Sequence, residues 1–354
     1  MPGGEKTRFG IIVHGPEIID TGRAKRLIEF FRGRGECDLC LGGAMGAIAV
    51  IDAEMEDTVD ISRRARVSEA MIRLDKDCEA IVILNHCKTR ESGMAFGALL
   101  AARVDLNHSA IQVDDGFVMP LNSLGGELAH EIALETGAEL VTLPGPEGSK
   151  GLRTLHGVQE GEAIWVNGNV IGRARGPLAT IRRDGNELVF EGVEIKGPGL
   201  SKALPFDLDT ALIRSGSLRR TDAMPRSIPR RGDGSIMLVD HCAENSFFET
   251  GEASAAVTVG DDTTRIAGAL LYRKGIPILG ITDGDEDGIC REGVVAPGSL
   301  IIRLRPGSDD QVGEELRRMV FGQGRFAFVR GGLGELSRMT IEMAGDRLLE
   351  VIRV

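Results

Sequence analysis

Ile278-Leu-Gly-Ile-Thr-Asp-Gly-Asp-Glu-Asp-Gly288 runs a short apolar segment straight into three carboxylates at alternate positions, Asp283, Asp285 and Asp287. An unbroken apolar run of this length, ended by glycines and acids, reads as a strand buried on both faces. Upstream, Ala255 to Val259 is a second such run, and Gly260-Asp-Asp-Thr-Thr264 then opens a helix over Thr263 to Arg273. Strand, helix and strand in that order make a βαβ unit, which predicts an α/β fold with a parallel sheet. In a parallel pair joined by one helix both strand ends lie at the same edge, so Asp261, Asp262, Asp283 and Asp285 are expected to converge.

The same alternation extends in both directions. Strands are predicted at Ile236 to Val239 and Leu300 to Leu304 and a helix at Asp310 to Phe321, with Arg338 to Val354 returning to the sheet or covering it. In the first 150 residues strands are predicted at Phe9 to Val13, Leu39 to Leu41, Ala80 to Leu84, Ala110 to Val113 and Leu140 to Leu143. Helices fall at Thr21 to Arg32, Ile61 to Leu74, Met94 to Arg103 and Gly126 to Thr136. Between the halves, Asn167-Gly168 and Asp184-Gly185 are hairpin turns flanked by β-forming residues, with Trp165 as a core anchor. The predicted architecture is therefore a Rossmann-like α/β domain over 1–150, a small antiparallel β module with a linker over 151–232, and a second C-terminal α/β domain over 233–354.

Four carboxylates within a few ångströms raise one another's pKa unless a cation compensates them. Mg²⁺ or Mn²⁺ held by one or two carboxylates with water and substrate phosphates is the expected solution. Asp261, Asp262, Asp283, Asp285 and Asp287 are the candidate metal ligands, Thr263 and Thr264 candidate ligand contacts beside them, and His241 and Glu244 of the neighbouring strand exit candidate general bases. Cys242 is a weaker candidate nucleophile. The acids match the first half of a calcium-binding EF-hand loop, but position 12 is Val294 where a bidentate glutamate belongs. The alternative is a solvated turn, with Asp262 capping the helix.

Ligands of open α/β sheets bind beyond the carboxyl ends of the strands. The N-terminal exits include His14-Gly-Pro-Glu17, Gly42-Gly-Ala-Met-Gly46, Asn85-His-Cys-Lys-Thr-Arg-Glu-Ser-Gly93, Asp114-Asp-Gly116 and Pro144-Gly-Pro-Glu-Gly148. The third brings His86, Lys88, Thr89, Arg90 and Ser92 to a helix start, where free amides and the helix dipole favour an anion. Candidate ligand contacts are thus His14, Glu17, Gly42, Gly43, Lys88, Thr89, Arg90 and Ser92. Gly42 to Gly46 fits neither the GxGxxG nor the Walker A pattern, and Ser92 reads equally well as a plain helix cap.

The chain has 354 residues, 42% hydrophobic, and a formal net charge of −11, which argues against broad nucleic-acid binding. One cluster runs the other way: Arg214, Arg219, Arg220, Arg226, Arg230 and Arg231 make either a local anion or RNA surface or a solvated linker. No apolar run approaches the roughly 20 residues of a membrane span, and the N-terminus lacks a signal-peptide core, so a cytoplasmic protein is expected. Six cysteines, including the Cys37/Cys40 CxxC, are expected to be reduced thiols. A homodimer is the expected assembly.

Val257 to Thr264, Ile276 to Asp285 and Phe9-Gly-Ile-Ile-Val-His-Gly-Pro-Glu17 resemble a family of uncharacterised proteins found mainly in methanogenic archaea, over nearly the whole length. The resemblance implies an archaeal setting and carries no mechanism. A looser similarity is to TOPRIM-type domains, with Asp283-Gly-Asp285 as the DxD that binds Mg²⁺; here the first strand ends in Gly-Asp-Asp rather than Glu-Gly. The leading expectation is a metal-dependent enzyme acting on a phosphorylated or nucleotide-like small molecule, with His14, Lys88 and Arg90 engaging an anionic group. The alternatives are a non-catalytic nucleotide- or cofactor-binding regulatory protein and a TOPRIM-like nucleic-acid-acting protein.

Overall fold

Ala80–Leu84, Ala255–Val259 and Ile278–Thr282 are buried at every position. Strands without polar alternation need cover on both faces, and this makes a parallel sheet the centre of each half of the chain. The computed structural model describes residues 7–145, 151–185, 187–217, 219–229, 231–240, 243–284 and 293–354. The chain divides into two compact units. Met1–Val166, Val170–Gly216 and Arg220–Ala223 form the first; Asn167–Asn169, Ser217–Arg219 and Met224–Val354 form the second.

The main sheet of the first unit contains β1 (Arg8–His14), β2 (Glu36–Gly42), β3 (Ala80–Leu84), β4 (Ser109–Asp114), β5 (Phe117–Pro120) and β6 (Glu139–Leu140), in the order β2-β1-β3-β4-β5-β6. The first four are mutually parallel; β5 turns back antiparallel on β4. Its helices are α1 (Glu17–Asp20), α2 (Arg23–Arg32), α3 (Gly46–Asp52), α4 (Val67–Leu74), α5 (Arg90–Arg103) and α6 (Gly126–Thr136). Because β2 and β3 flank β1 on opposite sides, the strand order reverses at the carboxyl ends of β1 and β3, where open sheets of this kind bind ligands.

Local chemistry explains where the elements depart from expectation. Helix α4 starts at Val67 rather than Ile61 because Glu69 reaches back to the Arg66 amide at 2.9 Å and sets the first turn there. Helix α3, absent from the predicted elements, has Gly46 to Ile51 buried and so carries no amphipathic period. The predicted strand at Leu140 to Leu143 reduces to the two exposed residues of β6.

Apart from Asn167–Asn169, the β module lies within the first unit. It comprises β7 (Leu152–Leu155), β8 (Ala163–Val166), β9 (Asn169–Ala174), β10 (Ala179–Asp184), β11 (Glu187–Glu191), β12 (Val193–Ile195), helix α7 (Gly197–Ala203) and β13 (Ile213–Ser215). The strands form two small sheets, β11-β10-β7 and β12-β9-β8-β13, with antiparallel pairing. Asn167 and Gly168 both take positive φ (49° and 88°), as a two-residue hairpin turn requires. Trp165 is 2% exposed, donates Nε1–H to the Gly216 carbonyl at 2.8 Å and has the Arg214 guanidinium 4.3 Å above its ring. The stretch expected as linker therefore supplies a strand: three residues are too few to show a period, and β13 is held by pairing with β8.

The second unit contains β14 (Ser235–Asp240), α8 (Ser246–Glu249), β15 (Ala255–Val259), α9 (Asp261–Tyr272), β16 (Ile278–Thr282), β17 (Leu300–Leu304), α10 (Asp309–Leu316), β18 (Phe326–Phe328), α11 (Gly332–Ala344) and β19 (Leu348–Arg353). Its sheet runs β18-β14-β15-β16-β17-β19; the four central strands are parallel and both edges antiparallel. The predicted βαβ unit is present, with Val259 level with Ile281. Gly280 permits its packing, since a Cβ there would lie 2.5 Å from the Thr264 methyl and 2.8 Å from Ile301 Cδ1. The expected fold class is thus observed: an N-terminal parallel-dominated sheet, small antiparallel sheets and a second α/β unit. No helix among the described residues is long and apolar enough to cross a membrane.

Candidate functional site

In the second unit, β15 ends in Gly260, whose φ of +98° only glycine adopts without strain, and the chain turns directly into α9. That turn puts Asp261 against the exit of β16: its Oδ2 accepts from the Asp283 and Gly284 amides, both at 2.9 Å. Asp283 is 7% exposed, and its Oδ2 accepts from the Gly307 amide in the loop after β17. Asp309, 9% exposed at the start of α10, joins them, so that oxygens of Asp261, Asp283 and Asp309 lie within 4.8 Å of one another. Asp309 Oδ1 accepts from the Asp310 amide at 2.8 Å.

The backbone amides and the starts of α9 and α10 offset part of this negative charge. Asp283 Oδ1 stays unmet: it is buried and has no hydrogen-bond partner among the described residues. Asp261 and Asp283 converge as the strand pattern predicts, whereas Asp262 is outside the group of three. Asp285, Asp287, His241 and Cys242 lie outside the described residues. Glu244 is buried in the turn Ala243–Asn245. Thr264 faces inward, its hydroxyl 2.7 Å from that of Thr258, so it serves the helix–sheet interface; Thr263 sits beside the Gly260 turn.

In the first unit, the carboxyl ends of β1, β3 and β4 carry a buried polar chain. Asp114 is 0% exposed and accepts from Asn85 Nδ2 (2.6 Å), Gln112 Nε2 (2.8 Å), and the amides of Cys87 (2.9 Å) and Asp115 (2.8 Å). With its amide nitrogen committed to Asp114, Asn85 presents Oδ1 to His14 Nδ1 at 2.8 Å. Nδ1 must therefore be the donor, which leaves Nε2 as the acceptor of a neutral imidazole. Burial holds His14 below its ordinary value despite the raising effects of Asn85 and Asp114, and the ring stacks on Phe96 at 4.4 Å. Burial, and then Asp114, push the Cys87 thiol up to about 12, so it is protonated at neutral pH and is no nucleophile.

A cavity of about 370 Å³ opens beside this chain, and its walls include His14, Lys88 and Ser92. Lys88 Nζ is 2.9 Å from both Glu162 carboxylate oxygens and 3.1 Å from the Ser215 carbonyl and hydroxyl. Thr89 and Ser92 form a reciprocal capping box that consumes both their amides. Arg90 is not on the cavity wall; it makes a bidentate pair with Glu139 at 2.7 and 2.8 Å. Glu17 Oε1 accepts from the Arg220 amide and Nε, both at 3.1 Å. The Gly43 amide donates to the Ala65 carbonyl at 2.8 Å, and a Cβ on Gly42 would lie 2.6 Å from Val67 Cγ2, so these two glycines serve the turn and its packing. Sequence reasoning missed Asp309 and the cavity residues Arg153 and His156. For Asp309 a signal exists, since Ser308-Asp-Asp310 at a helix start repeats the Gly260-Asp-Asp262 pattern.

The profile of a family described as an uncharacterized protein conserved in archaea (DUF2117) matches residues 11–324. The chain is similar to uncharacterized protein MJ0065 of Methanocaldococcus jannaschii, 35% identical over 330 residues that span 88% of this chain and 91% of that protein. No solved structure matches.

Proposed function

The chain belongs to this uncharacterised archaeal family, DUF2117, and from that premise we propose that it is a metal-dependent enzyme acting on a phosphorylated or nucleotide-like small molecule, with Mg²⁺ or Mn²⁺ on Asp261, Asp283 and Asp309. The observation that carries the reading is Asp283 Oδ1, a buried carboxylate oxygen without a hydrogen-bond partner among the described residues, in a cluster of three acids. Burying an unmatched anionic oxygen beside two further carboxylates is costly, and a divalent cation removes the cost. A hard cation of this kind takes oxygen ligands and keeps sites for water and phosphate. Bound there, it would neutralise and orient a substrate phosphate. The chain's own contribution is rigidity: Asp261 staples the β16 exit to the start of α9, and the Gly307 amide fixes Asp283.

The test is thermal denaturation with Mg²⁺ or Mn²⁺, then with each ion plus a panel of nucleotides and phosphorylated metabolites, followed by product analysis of any ligand that binds. At 100 times its dissociation constant the ion should stabilise the protein by about 2.7 kcal/mol. Asp283→Asn should abolish that response and, in EDTA, should melt no lower than wild type, because it relieves repulsion. A metal response unchanged in the variant, or a variant strongly destabilised in EDTA, would assign these acids to capping alone. A metal response with ligand bound but no product would leave a binding protein in place of an enzyme.

A further inference from the structure

The cavity of the first unit lies at the point where the strand order reverses and has the volume of a small-molecule site. Its charge is the reverse of the chain's. In a protein of net charge −11, no carboxylate lines it among the described residues, while Lys88, Arg153, Arg214 and Arg220 all do. Two of these cations are matched from behind, Lys88 by Glu162 and Arg220 by Glu17. Arg153 is different. Its Nη1 donates to the Leu208 and Ala211 carbonyls at 3.1 and 3.3 Å, and it makes no salt bridge among the described residues. Burial and then the neighbouring Arg103 push its pKa down, against a smaller opposing effect of Asp209. A guanidinium stays charged in a protein regardless, and a ligand anion would give it a direct partner in addition to the opposing charge of Asp209.

Part of the lining is apolar. Ala95, Leu99 and Ala102 recur at helical spacing along one face of α5, and Leu152 and Ile213 of the β module also line the space. His14 also lines the cavity; its Nδ1 is committed to Asn85 and its Nε2 remains to accept a hydrogen bond.

We propose that this cavity binds a small organic anion, with its carboxylate or phosphate head on Arg153 and its apolar body against the outward face of α5. Charge-assisted bonds from a guanidinium to a carboxylate or phosphate are among the stronger polar contacts available, and the apolar wall distinguishes such a ligand from inorganic phosphate. His14 Nε2 favours, among such anions, those that offer a hydroxyl hydrogen. The proposal concerns residues of the first unit alone and does not rest on the metal reading.

The experiment is calorimetric titration of the full chain in EDTA with four probes: hexanoate, 2-hydroxyhexanoate, hexyl phosphate and inorganic phosphate. At least one organic anion should bind at least tenfold more tightly than inorganic phosphate, and the carboxylate and phosphate arms name the head group. Arg153→Gln, which retains a donor for the Leu208 and Ala211 carbonyls, should weaken that anion at least tenfold. Ala102→Phe, which leaves the charge and fills the apolar wall, should weaken it as well, while Asp283→Asn should change nothing. Binding of inorganic phosphate alone, no binding at all, or full affinity in Arg153→Gln would each overturn the proposal. A folded Arg153→Gln is verified by unaltered Trp165 fluorescence; should it not fold, Ala102→Phe decides alone.

Discussion

Replacing Asp114 by asparagine changes one atom of a carboxylate that accepts four hydrogen bonds, two on each oxygen. Whichever way the new amide is turned, its NH₂ faces two donors. On the Oδ1 side these are the backbone amides of Cys87 and Asp115, which cannot rotate away. On the Oδ2 side they are the side chains of Asn85 and Gln112, and Gln112 Nε2 is also tied to the Gly93 carbonyl at 2.9 Å. The less costly arrangement puts NH₂ on the Oδ2 side with Asn85 flipped, which also forces His14 into its other tautomer. Each buried donor left unsatisfied costs about 1–3 kcal/mol. With one donor rescued by the flip and one lost with the charge-assisted bonds, the net cost is about 3 kcal/mol. For a unit of this size that lowers the melting temperature by about 6–12 °C. Trp165, the chain's sole tryptophan, is buried in the first unit, so its fluorescence reports that unit and avoids a composite transition. Asp115→Asn, at an exposed side chain, is the control. A melting curve of Asp114→Asn within 1 °C of wild type would refute the claim that this carboxylate organises the strand ends.

Gly280→Ala should cost about 1–3 kcal/mol of the second unit's stability in urea titration followed by far-UV circular dichroism, because its Cβ meets Thr264 and Ile301 at 2.5 and 2.8 Å; an unaltered midpoint would show that α9 does not press on β16 there. Acid stability should depend on Asp75. Burial raises its pKa, but hydrogen bonds from the Asn107 amide and side chain and from His108 outweigh burial and hold it below the ordinary 3.8. Its contribution is therefore complete above pH 3.8 and is lost as the pH falls through the lower folded value. Asp75→Asn should flatten the fall in Trp165-monitored melting temperature as the pH drops below 3.8; a slope equal to wild type would assign that acid sensitivity to other groups.

The fold was legible where burial leaves an unambiguous mark. Ala80–Leu84, Ala255–Val259 and Ile278–Thr282 are buried at every position, and their unbroken apolar runs read as strands covered on both faces. Legibility failed where stability comes from distant partners. Helix α3 has no polar face to define a period, and β13 exists because Ile213 to Ser215 pairs with Ala163 to Val166, some fifty residues upstream. Strand β5 follows β4 after only Asp115 and Gly116. The Asp115-Gly116 pair between them carries the same Asp-Gly hairpin signal as Asp184-Gly185, and reading it only as the exit of a parallel strand hides the antiparallel return.

The candidate sites divide along the same line. Asp261 and Asp283 could be brought together from sequence because one βαβ unit fixes both, and their separation follows from strand geometry alone. Asp309 could not, since it arrives by way of β17 and the Gly307 turn, and only the observed order of four parallel strands places α10 beside α9's start. Lys88 and Arg90 show the converse limit. Both cations stand at a strand exit, as an anion site requires, yet Glu162 and Glu139 satisfy them from elements 74 and 49 residues away. A cation's position along a chain thus says where it is, whereas its availability depends on which acids the tertiary fold brings to it. Arg153 carries no motif at all and sits in a β strand of ordinary appearance, but it is the cavity arginine that the fold leaves to main-chain carbonyls. The same logic separates the two candidate sites chemically: one gathers acids around a buried carboxylate oxygen that has no partner among the described residues, the other gathers bases around a guanidinium held by main-chain carbonyls, and the two proposed ligands are accordingly of opposite sign.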